Sequence, residues 1–439
     1  MNHQSADNVT VHCNQKNMSG TRKAIIIGGG PAGISAALRL QQTTNIKCTV
    51  YELRPEPTTL GGAIGIMPNG LRLLHRLGVY DDLRVRGNSC STMTVRSLQG
   101  SILAKKEDYV SQARSETGFG YMRIKRTDLM DVLLDAAQKA KIPIYFNKCL
   151  TAIADEKKEV KVMFSDGTSD TADLLLGCDG IHSSVRRLYV DPGQVPEYSG
   201  FSGTGSIIPI SGLPSSASAL FTGLCATLTE EGMFILMPCN AANDELFWGF
   251  TREVPLPESG DSRDGWEEHH NKVIESFKSN FHEILKNAGG EWGDMLKQVV
   301  DNTTVMKFYP VYRMPLGGTW SRGRCLLLGD AAHAMQPHAG QGVSMALEDV
   351  HLLSRLLEDP ARQLSEAFER FDQIRRPRVN ELFEISSRNA GVRRKTGPWQ
   401  LWLKEVLLKM HYWASWIVGQ HNLGVEQKDM IYDIDEEVL

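Results

Sequence analysis

The fold is decided between Lys23 and Gln42, "KAIIIGGGPAGISAALRLQQ". Ala24 to Ile27 form a short run rich in β-branched residues, which reads as a buried strand. Glycines follow at once, and then apolar residues recur at helical spacing. The run "KCTVYE", Lys47 to Glu52, reads as a second buried strand. Strand, tight turn, helix and strand make a βαβ unit with a right-handed crossover. Gly28, Gly30 and Gly33 stand in the spacing Gly-x-Gly-x-x-Gly. The first permits the turn, the second lets the backbone approach a pyrophosphate, and the third lets helix and strand pack closely. The helix N-terminus adds free N–H groups and partial positive charge. Glu52, ending the second strand, is placed to accept hydrogen bonds from an adenosine ribose. Its charge opposes a 2′-phosphate, so the tightly held nucleotide is expected to be FAD or NAD, not NADP.

A second stretch completes this reading: "GDAAHAMQPHAGQGVSMALEDV", Gly329 to Val350. It follows the apolar run "CLLL", which reads as another buried strand. Asp330 therefore sits at a strand's C-terminal end, where ligands bind in open α/β sheets. An acid there can hold a hydroxylated chain such as a ribityl. The bend around Pro337 to Gly342 carries little side-chain bulk, so a flat ring can approach its backbone. The helix that follows points its N-terminus at the ring edge and would stabilise negative charge there.

The 439-residue chain is 41% hydrophobic and 23% charged, with a net charge of -4. That is an ordinary globular composition and gives no sign of nucleic-acid binding. The eight cysteines are scattered without CxxC spacing, which gives zinc and dithiol readings little support and suits a reducing, cytoplasmic setting. Residues 1–22 lack an apolar core and read as a disordered tail, neither signal peptide nor anchor. "PNGLRLLHRLGVYDDL" suits an amphipathic helix, Ser91 to Lys106 reads as strand, and the helix near Arg126 has Thr127 as its expected N-cap. A hairpin turning at Asp166-Gly167 precedes the apolar run "LLLG". From Tyr198 the character shifts to short strands with Gly, Ser and Thr. Residues 396–439 read as a Trp-rich amphipathic helical segment packed on the body through Leu401, Leu403, Val406, Leu407 and Met410, with contact to a membrane surface as the alternative.

"GGGPAGISAAL…YE", "GCDGIHSSVRR" (Gly177 to Arg187) and "GDAAHAMQPHAGQG" (Gly329 to Gly342) resemble the three fingerprints of group A flavoprotein monooxygenases. These are FAD-dependent aromatic hydroxylases and epoxidases related to salicylate and p-hydroxybenzoate hydroxylase. The resemblance runs from Lys23 to Arg378. It implies an α/β fold: a Rossmann-like FAD-binding domain (23–89, 121–197 and 301–395), an inserted, mostly antiparallel β-sheet substrate domain (90–120 and 198–300), and a C-terminal helical segment. Carried over position by position, it places Ala63 beside the flavin and has Arg126 contacting FAD. Asp179 and Gly180 serve FAD and NAD(P)H. Arg186 is the basic residue after that pair, with a surface cation as the alternative. Asp330 binds the flavin, Pro337, Gly340 and Gly342 line the bend, and Val343 meets the ring. Two departures stand out. Ser344 replaces a common Asn, and Gly205 stands where many phenolic-acid hydroxylases carry Arg, which weakens the case for a small anionic aromatic acid.

The implied cycle uses NADPH or NADH as transient reductant and O2 as oxidant. Reduced FAD adds oxygen to give a flavin C4a-hydroperoxide, which an electron-rich substrate attacks. The cofactor does the hard chemistry, so few acid–base residues are needed. His338 in the bend is the catalytic candidate, to orient or deprotonate a phenol near pH 7, with a loop-bracing role as its alternative. Arg313 is a candidate for substrate binding or for a structural ion pair. Met233, Phe234, Met237, Phe247 and Trp248 suggest either a roomy apolar pocket for a phenol, polyketide or indole-type metabolite, or plain sheet core. An oxidase, dehydrogenase or Baeyer–Villiger reaction on the same fold is the rival reading, and a non-enzymatic flavin redox sensor a remote one.

Overall fold

The computed structural model describes residues 21–57, 62–156, 158–255, 266–268, 271–418 and 427–439. Its first layer is a six-stranded sheet in the order Ser321–Arg322, Cys325–Leu327, Leu174–Gly177, Arg22–Ile27, Ile46–Tyr51 and Ile144–Tyr145. Every pairing is parallel except the one at the Ser321 edge. The strands are continuous apolar runs because both faces are covered. The helices Pro31–Thr43, Arg126–Lys139 and Gly342–Leu357 share one core with the sheet, as does the three-stranded sheet of residues 150–172. Three strands that end at Ile27, Gly177 and Leu327 run side by side, so their following loops gather at one edge.

The second layer is an eight-stranded sheet. All its pairings are antiparallel except that of Gly223–Leu228 with Thr92–Arg96. Strand alternation sorts its side chains. Phe234, Leu236, Leu246, Trp248 and Phe250 enter a core with Phe281, Trp292 and Leu296 of the helices Asn271–Ile284 and Gly290–Asp301. Met233 and Ile235 lie under Leu401 and Leu408 of the helix Pro398–Val418. Of the five expected pocket residues, Phe234 and Trp248 are thus helix-backed core. Phe247 faces the first layer, where its ring lies against Gly62.

Several local expectations need correction. Arg22 opens the first strand, opposite Ile46, so the tail cannot reach residue 22; residues 1–20 lie outside the described ones. The helix expected over Pro68 to Leu83 is two, Pro68–Arg76 and Tyr80–Arg84, because Gly78 turns the chain at φ +82°. Ser91 to Lys106 is a hairpin with Gly100 at φ +83°. Thr127 caps nothing: the helix begins at Arg126 after Lys125, without a side-chain cap. The Asp166-Gly167 turn is present, with Gly167 at φ +81°.

The final residues fasten to the first layer. Arg76 donates to Asp433 at 2.6 Å and to Asp435 at 2.7 Å, and Arg355 to the carbonyls of Ile434 and Glu437. Ile434 is fully buried in the main core.

Candidate active site

The glycine turn is set by backbone packing. Gly28 has φ +108°, and a Cβ there would lie 2.3 Å from the Cys178 carbonyl oxygen. A Cβ on Gly33 would lie 1.9 Å from the Gly28 oxygen. Gly30 differs: an added Cβ meets nothing within 4 Å. Gly30 also starts the helix Pro31–Thr43, which has no side-chain cap. Open space before an uncapped helix N-terminus fits a pyrophosphate. Glu52 braces the turn, accepting from the Gly29 N–H at 2.6 Å and the Arg54 N–H at 3.0 Å. A carboxylate can still accept further hydrogen bonds from a ribose.

Asp179 follows the neighbouring strand. Its carboxylate accepts from Ser183 Oγ and the Ser184 N–H, both at 2.6 Å, and from the Val185 N–H at 3.2 Å. Both its oxygens thus organise the turn. Arg186 is 2% exposed and donates to the Ala331 carbonyl at 2.7 Å. It is no surface cation; it ties the "GCDG" turn to the "GDAA" turn.

Asp330 follows the third strand. Its side chain is accessible, yet surrounding protein desolvates it and raises its pKa, with His333 and Arg126 opposing. Together these facts place it in a recess. Arg126 is close enough to act on it electrostatically. The recess and the uncapped N-terminus of the helix Pro31–Thr43 fit FAD.

A buried charge network holds these turns. Asp349 accepts from the Gly329 N–H, His333 Nε2 and Arg375 Nε, each at 2.7 Å. Glu348 accepts from Arg375 at 2.6 Å, Arg378 at 2.9 Å and Asn69 at 2.8 Å, and Asn69 also donates to Gln341 at 3.0 Å. Burial alone would raise both acids, but His333 and the two arginines hold them below the usual carboxylate range. Sequence reading does not single out these residues. Charged residues on a helix read as a solvated face, and Glu348-Asp349 carries no motif of its own.

The bend is a 3-10 turn at Pro337–Ala339, closed by Gly340 at φ +66°. A Cβ on Gly340 would lie 3.1 Å from Met67 Cε, whereas one on Gly342 meets nothing within 4 Å. The helix Gly342–Leu357 starts without a side-chain cap, and Val343 in its first turn is half-buried. Ser344 is buried against Gly70, whose Cβ would come within 2.3 Å of its hydroxyl. Ser386 donates to the Gln336 carbonyl and Asn389 to that of His338. The His338 Nε2 is buried without a hydrogen-bond partner. Desolvation, then Arg393, pushes its pKa down to about 3. His338 is therefore neutral at pH 7.

Residues 21–386 match the family model "FAD binding domain". The chain is 30% identical over 387 residues to the 6-hydroxynicotinate 3-monooxygenase of Pseudomonas fluorescens, covering 87% of this chain and 94% of that protein. It is 28% identical over 365 residues to the 3-amino-4-hydroxybenzoate 2-monooxygenase of Streptomyces cremeus, covering 83% and 86%. Among solved structures, Klebsiella pneumoniae HpxO complexed with FAD and uric acid superposes with a TM-score of 0.77 at 23% identity, over 94% of this chain and 98% of that one. The chain belongs to the group A flavin monooxygenases.

In this monooxygenase the ribbon of Ala63–Ile66 and Met122–Lys125 connects the two layers. Ala63 pairs with Lys125, and the Arg126 N–H bonds to the Gly62 carbonyl. The ribbon brings in two residues that motif reading misses, Tyr121 and Arg123. Tyr121 is buried, and the Arg123 guanidinium lies over its ring at 5.7 Å. Arg123 Nη1 donates to the Ala63 carbonyl, while its Nε is buried without a partner. Their alternation just before Arg126 is the available signal. Gly205 has a steric cause: a Cβ there would lie 2.4 Å from the Trp248 carbonyl oxygen, so no arginine fits. Arg313 faces Glu197 at 3.6 Å and lies over Phe383, which is the ion-pair arrangement.

Proposed function

We propose that this enzyme uses NAD(P)H and O2 to insert one oxygen atom into an electron-rich aromatic or heteroaromatic ring. Residues 23–89, 121–197 and 301–395 form its FAD-binding part, 90–120 and 198–300 its substrate part, and 396–439 a C-terminal helical segment. Bound FAD supplies the electrophilic oxygen after reduction by the nicotinamide. The chain's own residues bind and orient. Gly30 and its helix receive the pyrophosphate, Glu52 the adenosine ribose, and Asp330 with Arg126 the ribityl and phosphate groups. Ala63, Pro337, Gly340, Gly342 and Val343 frame the ring, and Asp179 shapes the adjoining turn. Tyr121 and Phe247 wall the substrate side and exclude water, which protects reactive oxygen from loss.

The observation that carries this reading is the glycine turn, where open space at Gly30 precedes an uncapped helix N-terminus beside the Glu52 carboxylate, in a chain whose residues 21–386 match the FAD-binding family. Neutral His338, in the bend before the second uncapped helix, is the candidate to orient a substrate hydroxyl. The relatives' names, 6-hydroxynicotinate and 3-amino-4-hydroxybenzoate, describe such hydroxylated rings. The test is NADH and NADPH oxidation with a panel of hydroxylated aromatics under 18O2. Stimulated oxidation with one labelled atom in the organic product is expected. Peroxide formed in step with NAD(P)H, without label in the product, would make it an oxidase instead.

A further inference from the structure

The helix Pro398–Val418 is built the wrong way round for a helix that serves only its own core. At 100° per residue, Trp399, Trp402, Leu403, Val406, Leu407, Met410 and Trp413 share an arc of about 140°. Leu401 and Leu408 lie opposite. Those two leucines hold the helix to the large sheet, beside Val95, Leu103, Met233 and Ile235. The larger arc points outward: Trp399, Trp402, Leu403, Leu407, Met410 and Trp413 are between 42% and 69% exposed. Trp399 and Trp402 stack on each other at 4.7 Å. Single exposed apolar residues need no explanation, but a contiguous stripe of this size does.

Charge says what covers it. Residues 391–415 carry five Lys and Arg against one acid, Glu405, in a chain whose net charge is -4. Lys395 pairs with Glu231 at 2.7 Å and Arg393 donates to the Asn389 carbonyl at 2.6 Å, which leaves Arg394, Lys404 and Lys409 to face lipid. Arg394 and Lys409 are exposed and Lys404 is half-buried. Tryptophan favours the boundary between headgroups and acyl chains, and cations beside it favour anionic lipid. No helix among the described residues is long and apolar enough to cross a membrane, so this one would lie in the interface plane. We propose that the outer face of Pro398–Val418 docks the enzyme on an anionic membrane surface. The helix follows the turn Gly391–Arg393, and Arg393 acts electrostatically on His338. Docking therefore engages the segment beside the bend.

The test uses the full chain loaded with FAD. It is sedimented with vesicles of phosphatidylcholine alone and of phosphatidylcholine with phosphatidylserine. Two variants are compared, Trp402→Ser/Leu403→Ser/Met410→Ser/Trp413→Ser and Arg394→Glu/Lys409→Glu. All these side chains are exposed or half-exposed at the surface, and the flavin spectrum reports whether each variant folds. Wild type should bind the anionic vesicles at least tenfold more tightly than the neutral ones, with salt weakening binding. The apolar variant should lose at least tenfold on both, and the charge variant only on the anionic vesicles. Absence of vesicle binding, or equal binding by the apolar variant, overturns the proposal. A dimer that the apolar variant dissociates, without vesicle binding, would make the face a seam between two copies.

Discussion

The two glycine-rich turns that frame the cofactor recess are held in opposite ways. In the turn after Ile27 the backbone holds itself, because any side chain at Gly28 or Gly33 strikes a carbonyl. The bend from Gln336 to Gly342 has little such contact. It is held from outside by Ser386 and Asn389, by Asn69 on Gln341, and by Asp349 through Gly329 and His333. One turn is specified by its own residues and the other by residues of two helices. A self-held turn should fail through single glycines, and an externally held one through distant charges.

The largest expected effect is Gly28→Ala. Its methyl meets backbone that cannot yield, and the loss should exceed about 4 kcal/mol in denaturant unfolding of the FAD-free protein. Next comes Asp349→Ala, which leaves Arg375 buried and short of a partner. About 3–5 kcal/mol should be lost, read by the same titration, although residue 349 lies outside both turns. If this variant unfolds like wild type, the bend is not held by the network. Gly30→Val separates architecture from ligand. Its φ of -77° accepts valine and its Cβ position is open, so FAD-free stability should change by less than about 0.5 kcal/mol. FAD affinity, from flavin fluorescence, should fall by about 100-fold or more, near 2.7 kcal/mol. Unchanged affinity would remove the pyrophosphate from this site.

The smallest effect sharpens the bend itself. His338 is neutral when folded, with its pKa lowered to about 3, against about 6.5 unfolded. A lowered histidine adds no pH dependence above about pH 6.5 and costs stability as pH falls below it, because the unfolded chain takes the proton first. Between pH 7.5 and 5.5 the loss should be about 1.3 kcal/mol, and His338→Gln should lack it. Parallel stability curves for the two proteins would show that the imidazole is not desolvated.

This contrast also explains what sequence could reveal. Gly28, Gly30, Gly33 and Glu52 act within one βαβ unit, so their spacing carries the geometry. The large sheet was legible as a run of short strands with Gly, Ser and Thr after Tyr198, and Gly205 from its departure from a pattern, though its steric cause needed the facing Trp248 carbonyl. The Asp349 network was not legible, because a charge on a helix reads the same whether it meets water or a buried arginine. The direction of the helix Pro398–Val418 was hidden for a related reason. Periodicity shows that a face is apolar, not which way it points: Leu401 packs inward as expected, while Leu403, Leu407 and Met410 turn outward. Thr127 had capping chemistry, but the helix starts one residue too early to use it.

The order of strands in the first layer bears on how a nascent chain matures. Leu175 pairs with Cys325, and every strand of the second layer is synthesised between them apart from the hairpin at Thr92–Lys106. Until Cys325–Leu327 leaves the ribosome, the apolar strand Leu174–Gly177 has no neighbour on that side. An open edge of this kind invites pairing with other chains. Parallel pairings this distant in sequence also form slowly. Synthesis of this enzyme should therefore depend on chaperones until its last third emerges, and slower translation or cooler growth should raise the yield of soluble, yellow protein.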